Sequence, residues 1–518
     1  MKISKKYIVM ICTFALLLMM LGACNNESAS NEDATPSDNT EGEATSNEGE
    51  DSGEPYEFSI MTNLHTAETP DPKIQELIEE MTGYKLDIQW VPDSNYDERL
   101  NTAFATGSLP DVVRIGFNQV NQFKDAIRND QFWEIGPYLD QFENLSNLNQ
   151  DIVANTMIDG KIFGIYQGRP LSRQGIIYRK DWADNLGLDA PTTTDEFFEM
   201  VRAFTEDDPN GTGNNDTIGI ADRSDLIYGG FKTIASWFGT PNEWGEKDGQ
   251  LLPEFMFDEY METLDFYKEM HSNGYINQDF PVTSKDDQIA LVTNGTAGVY
   301  VGSLPDVTSM NNDATALNPD IEFDVQNYVE GPQGEFGVWA IPGFGEIIIF
   351  SKSSIETEED LLNILGFYDK LASPEVINTL YWGVEGEHYE LKDGRADNTI
   401  AEQRVIDTEV RPYLTLEIGE PETTGRYEGY TDYEVRQKAD ELVLDNNNYL
   451  IHNPAVTLDS ETFIRDGERL NQMIEDATVR YILGQTDREG FDAVVEDWRS
   501  QGGDAIIEEI NDSYQAIN

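Results

Sequence analysis

Cysteine is almost absent from this chain: two occur in 518 residues, Cys12 and Cys24. Cys12 sits inside an apolar run, Tyr7 to Leu21, that is too short to span a bilayer comfortably. If that run is removed on export, one thiol remains and no internal disulfide can form. Basic residues are scarce as well, with 34 Lys and Arg against 98 Asp and Glu and a net charge of −64. So acidic a body repels nucleic acid and anionic lipid, which excludes both as its partners. It suits a saline or alkaline exterior. Histidine occurs four times, and the sequence contains no G-x-S-x-G, H-E-x-x-H or Walker loop, so no common catalytic framework is recognisable. No second long apolar run follows the first, and the mature body is expected to be soluble apart from any anchor.

What is present begins at the N-terminus. Lys2, Lys5 and Lys6 precede the apolar run, the order of a secretory signal peptide. The run ends in Leu21-Gly22-Ala23-Cys24, which resembles the lipobox of bacterial lipoproteins. That resemblance implies removal of residues 1–23, lipid such as palmitate on Cys24, and an anchored protein on the extracellular face of a Gram-positive-like cell membrane. Residues 25–57 carry eleven acidic side chains and no Lys or Arg. Such a segment cannot bury enough apolar surface to fold, so 24–56 is expected to be a self-repelling tether. Beyond it, apolar residues at 39% and aromatics at 11% of the chain mark a globular body of more than one domain.

Periodicity in that body alternates strand and helix. Phe58–Met61, Leu86–Val91 and Asp111–Ile115 read as strands, and Pro72–Thr82 and Tyr96–Thr106 as amphipathic helices between them. This is the pattern of a parallel sheet covered by helices, in which ligands bind beyond the carboxyl ends of strands. Those ends place Asn63, His65, Asn118 and Gln119 as candidate contacts. Further strands are expected at Ile176–Tyr178, Ile218–Ile220, Thr296–Val301 and Gly345–Phe350, with a helix-rich C-terminus.

Several stretches carry a family likeness. They are the turn Gly107-Ser108-Leu109-Pro110-Asp111 after a helix, the segment Gly160-Lys161-Ile162-Phe163-Gly164-Ile165-Tyr166, the run Ile177-Tyr178-Arg179-Lys180-Asp181-Trp182 with Leu186-Gly187-Leu188, and Trp382-Gly383-Val384-Glu385-Gly386-Glu387-His388-Tyr389. Their order and spacing resemble the extracellular solute-binding proteins of ABC importers, in a lipoprotein branch that includes alginate-oligosaccharide binders. The resemblance implies an α/β, periplasmic-binding-protein-like fold, with two lobes joined by a multi-segment hinge of type II kind. One lobe would take 56–167 and 340–372, the other 168–339 and 373–518, with crossings near Tyr166–Gln174, Val338–Pro342 and Ala372–Pro374. It also implies a monomer that delivers an oligosaccharide to ABC permease subunits, without enzymatic activity. Two alternatives stay open at this point: an anchored glycosidase or lyase, since carboxylates abound, and a binder of peptide or another solute on the same fold.

Two sets of residues carry specific chemistry. In Asp208-Pro-Asn210-Gly-Thr212-Gly-Asn214-Asn215-Asp216-Thr217, oxygen-bearing side chains recur at alternate positions, and glycine at position 6 permits the turn that gathers oxygens on a hard cation. The loop resembles an EF-hand loop and the calcium loop of the alginate binders, so a structural Ca2+ is expected on Asp208, Asn210, Thr212, Asn214, Asp216 and Thr217. It departs from both at Thr212, Thr217 and Gly219, and its fewer carboxylates imply weaker binding. The other set is saccharide contacts, in which aromatic faces stack on sugar rings while polar groups satisfy hydroxyls. Arg169, suited to a uronic acid carboxylate, joins Trp237, Phe238, Tyr300 and Ser303 there. Trp339, Trp382, Glu385 and His388 complete it. For any one of these aromatics, core packing is an equal reading.

Overall fold

The computed structural model describes residues 55–66 and 69–517. The apolar run, Cys24 and the acidic segment through Glu54 lie outside the described residues.

Strand β1 (Tyr56–Leu64) buries Phe58, Ile60 and Met61. The helix Lys73–Thr82 turns Ile74 and Ile78 onto it and stops at Gly83, whose φ of 78° is the left-handed conformation that glycine adopts without strain. Strands β2 (Tyr84–Pro92) and β3 (Val112–Gly116) follow, separated by the helix Asp93–Thr106, and both pair parallel to β1. Strand β4 (Gly164–Gly168) completes this sheet from farther along, while β5 (Gln174–Arg179) and β6 (Ile218–Ala221) begin another. A hairpin of β7 (Trp244–Lys247) and β8 (Gln250–Pro253) stands apart, before β9 (Ala297–Ser303) and β10 (Phe323–Gln326) complete the second sheet. The short β11 (Val338–Trp339) precedes β12 (Phe344–Phe350), a hairpin of β13 (Glu390–Lys392) and β14 (Arg395–Asp397) follows, and β15 (Leu450–Ile451) pairs with β11.

The first sheet runs β2-β1-β3-β12-β4, with β12 antiparallel to both of its neighbours. The second runs β10-β5-β9-β6, with β5 antiparallel to both of its neighbours and β6 parallel to β9. Each sheet has its own core. The first gathers residues from Phe58 to Leu171, Phe344 to Leu380 and Ile406 to Ile418. Separate clusters pack the second sheet with Ala439, Val443, Ala477 and Tyr481.

The chain passes from the first sheet to the second over residues 169–173 and returns over 340–343. The third passage corrects the expectation of Ala372–Pro374. Val376, Ile377 and Leu380 of the helix Pro374–Trp382 are buried in the first core, as are Ile406, Val410, Tyr413 and Ile418. The chain leaves that core only over residues 419–432, before Tyr433 and Val435 pack beside the second sheet. Residues 374–418 therefore do not belong with the second core.

Candidate ligand-binding cleft

A cleft of about 810 Å3 opens where β1 and β3 end. Asn63, in the last turn of β1, lines it, as do Gly116 and Gln119 after β3. The position follows from topology: parallel strands end there, and the following helices splay apart. Asn63 Nδ2 donates to Asp93 Oδ1 at 3.0 Å, and His65 Nδ1 meets Asp93 Oδ2 at 2.6 Å. His65 therefore orients Asp93, which lines the cleft, while not lining it itself. Asn63 Oδ1 is shielded and has no partner among the described residues. Gln119 Oε1 accepts the Gly116 N–H at 2.7 Å and its Nε2 donates to Asp97, so Gln119 fixes a second carboxylate. The side chain of Asn118 lies outside the described residues.

The facing wall comes from segments around the second sheet. Trp339 is mostly buried, and its Nε1 donates to Thr233 Oγ1 at 3.0 Å. Tyr228, 51% exposed, packs edge-to-face on it at 5.6 Å between centroids. Trp244 and, from the C-terminal helix Glu461–Ile482, Phe463 and Ile464 extend the apolar surface. Glu243 opens to the cleft solvent while protein crowds it on the other sides; that desolvation raises its pKa, the Lys232 charge opposes it and Glu254 adds to it. Its Oε2 accepts from Asn453 at 2.9 Å. Asp459 joins Lys124 and Arg128 of the helix Phe117–Arg128 to the C-terminal segment across this space.

Other expected contacts lie elsewhere. Trp237 and Phe238 are 1% and 5% exposed and pack in the second core, because the helix Gly230–Trp237 is buried along its whole length. Tyr300 is buried under the second sheet and donates to Asp306 Oδ2 at 2.9 Å. Ser303 ends β9 opposite Gln174, outside the lining. Arg169 is exposed and packs beside Gly345, within the field of Glu417, and is not among the lining residues. Trp382 donates its Nε1 to Tyr427 O at 3.0 Å, Glu385 is exposed in the turn that follows, and His388 is fully buried there, all three away from the cleft.

Glu387, His388 and Glu409 lie close enough to suggest a metal set. The hydrogen bonds oppose it. His388 Nδ1 accepts the Val384 N–H at 2.9 Å, so the neutral ring carries its proton on Nε2, directed at Glu409 Oε2 3.3 Å away. Lys73 pairs with both glutamates. No free imidazole lone pair remains for an ion.

Sequence reasoning missed Tyr228, Trp244, Asp93, Asp97, Phe463 and Asp459. Asp93 had a signal, as the first residue after a strand end, and Asp97 follows one turn along the same helix. Tyr228 and Asp459 lie in loops, Trp244 begins a short hairpin strand and Phe463 lies in a helix far along the chain, and nothing local directs any of them at the cleft.

Two lobe-like sheets with separate cores, linked by repeated crossings and sharing a cleft, define a binding protein of the hinged α/β class. The family model for bacterial extracellular solute-binding proteins matches residues 66–376, and the chain belongs to that family. It is 40% identical over 460 residues, 88% of this chain and 91% of the relative, to the polygalacturonan/rhamnogalacturonan-binding protein YtcQ of Bacillus subtilis. It is 33% identical over 473 residues, 90% of this chain and 93% of the relative, to the lipoprotein LipO of the same organism. In structure it is similar to an HMO-binding ABC-transporter-associated solute-binding protein of Bifidobacterium longum infantis, with a TM-score of 0.66, 16% identity, and coverage of 89% of this chain and 99% of that one. The family, the relative named for polygalacturonan and rhamnogalacturonan binding and the similar solved structure are binding proteins rather than enzymes, and the glycosidase or lyase alternative is set aside.

Proposed function

We propose that this chain captures an oligosaccharide in the cleft between its two sheets and delivers it to the permease subunits of an ABC importer. The observation that carries this reading is the pairing of exposed Tyr228 with Trp339 opposite Asn63, Asp93 and Asp97. Rings stack on the apolar faces of sugars, while the carboxylates accept their hydroxyls. The relative named for polygalacturonan and rhamnogalacturonan supports a glycan over a peptide. Tyr228→Ala tests the reading. Calorimetry against a panel of plant-derived oligosaccharides and peptides is expected to find a glycan bound about tenfold more weakly by the variant, a loss of about 1.4 kcal/mol. Its melting temperature should not change, because the ring is half in solvent. Tight peptide binding with no glycan response would reject the reading.

The anchor belongs to the same proposal: residues 1–23 are removed, Cys24 carries lipid, and a monomer is held at the outer face of the membrane through that lipid alone. The name of the lipoprotein LipO supports it. No helix among the described residues is long and apolar enough to cross a membrane.

A structural calcium in the Asp208 loop is a further part. The donor set fits. Asp208 accepts the backbone N–H of Thr212 at 2.9 Å and of Gly213 at 2.8 Å, and Asp216 Oδ1 accepts from Asn210 Nδ2 at 3.0 Å and Thr212 Oγ1 at 3.3 Å. Gly211 and Gly213 take positive φ, which coils the loop around these oxygens. Asp208, Asn210, Thr212 and Asp216, with the carbonyl of Asn214, would hold the ion. Thr217 would not, because its hydroxyl is buried and donates to Phe204 O at 2.8 Å. A bound ion would supply charge neutralisation and cross-linking of the loop, with no role in ligand chemistry.

A further inference from the structure

The ionisable groups that line the cleft are of one sign. Asp93, Asp97, Glu243, Glu346 and Asp459 face it, and no lysine or arginine does among the described residues. The nearest cations stand behind the wall. Arg114 is 2% exposed and paired with Glu346, Lys124 and Arg128 are engaged by Asp459, and Lys232 is buried against Glu254. Arg169 lies beside the lining residue Gly345 without joining it.

The consequence is one of hydrogen-bond polarity. Ionised carboxylates only accept. A sugar hydroxyl donates to them and is bound well. A ligand carboxylate is also an acceptor, so it would meet no cationic donor in the cleft and would sit among like charges. The cations behind the wall offset part of the field: Arg114 Nη2 is engaged by Glu346 and Gln167, and Lys124 and Arg128 by Asp459, while Arg114 Nε and Nη1 are buried behind the lining rather than presented in the cleft. The site is marked by the Tyr228 and Trp339 rings, and the carboxylates determine what those rings admit.

We infer that the cleft selects an oligosaccharide whose bound units carry no free carboxylate, an inference that rests on the oligosaccharide reading above. The chain would then differ in ligand charge from the relative named for polygalacturonan, or would take such a chain in esterified form.

The test compares ligands of one skeleton and two charges. Tetragalacturonic acid, its methyl ester and a neutral galactotetraose are titrated into the full chain in detergent by calorimetry, at 20 and 200 mM NaCl with calcium fixed at 1 mM. Tighter binding of the ester or of galactotetraose than of the free acid, by tenfold or more, is expected. Added salt should strengthen binding of the acid, because screening weakens like-charge repulsion. Asp97→Asn should narrow the gap at least threefold by favouring the acid. An acid that binds as tightly as its ester, or that weakens with salt, overturns the charge inference and leaves the oligosaccharide reading standing. Failure of all three sugars and of a wider neutral glycan panel overturns both.

Discussion

At the scale of single residues, the strand ends were readable and the loops were not. Asn63 and Gln119 line the cleft because each follows a strand whose period the sequence displays, whereas Trp339 lay at a crossing that only the family resemblance implied. Trp237 and Tyr228 show the limit. Both are aromatic residues near a helix end, yet one fills the core and the other faces solvent at 51% exposure. Nothing local separates them, since burial is decided by which segment packs above. Asp222 is a residue of another kind, invisible as a titrating group until its surroundings are seen. It is 1% exposed, accepting the N–H groups of Gly230 at 2.9 Å and Arg223 at 2.8 Å and the Tyr267 hydroxyl at 3.2 Å. Desolvation pushes its pKa up to about 6 from 3.8, against the pull of those hydrogen bonds and of the Arg223 charge. The native state therefore binds more protons than the unfolded chain between pH 3.8 and about 6. The contribution is fully present below that window and is lost as pH rises through it. At 1.36 kcal/mol per unit the loss is on the order of 2–3 kcal/mol. Asp222→Asn should remove it, so urea unfolding at pH 4 and pH 7 should show the variant losing less stability than wild type over that interval. Equal losses would mean that Asp222 is ionised throughout.

At the scale of elements, long amphipathic helices were legible to within a few residues. Apolar periodicity reads as helices over Thr194–Thr205, Glu358–Leu371 and Glu434–Val443, and the structure has them at Thr194–Glu206, Glu358–Leu371 and Glu434–Asp445. Short strands such as β10 and β11 gave no period long enough to see. Ala372-Ser373-Pro374 does break a helix, but the break joins two helices of one core, because the apolar spacing of Val376, Ile377 and Leu380 repeats the demand of the helix before it. A chain break and a lobe crossing look alike in sequence. The Asp208 loop is the element whose chemistry can be tested directly. For a dissociation constant of about 10⁻⁴ M, typical of weak extracellular sites, 2 mM calcium would stabilise the fold by about 1.8 kcal/mol. Calorimetry should show melting lowered by a degree or more with chelator and restored by calcium. Asp216→Ala should abolish the response. A wild-type curve indifferent to chelator would reduce the loop to a turn held by its own hydrogen bonds.

At the scale of the whole molecule, the alternation of strand and helix from Tyr56 to Gly116 was enough to identify the parallel pairing of β1, β2 and β3 and the strand ends at which the cleft opens, while the antiparallel β12 that makes the sheet mixed gave no such sign. Of the crossings that the resemblance implies, the third was misplaced because residues 374–418 fold back onto the first core. A consequence of the proposed division into anchor, spacer and body is that the three are separable. Each sheet has its own packed core within residues 55–517, and among the described residues none that lines the cleft precedes Asn63. The acidic residues 25–57 would keep the body off an anionic surface while holding it within reach of a permease. Cys24→Ser should therefore shift the protein from the membrane pellet to the supernatant on cell fractionation, while calorimetry gives the same ligand affinity within about twofold, or 0.4 kcal/mol. Cells carrying it should import the ligand poorly at low concentration, since the proposed tether would act by raising the local concentration of the binding protein at the membrane. A variant that stays in the pellet would show that Cys24 is not the anchor, and one that loses affinity would show that the body depends on its N-terminal segment.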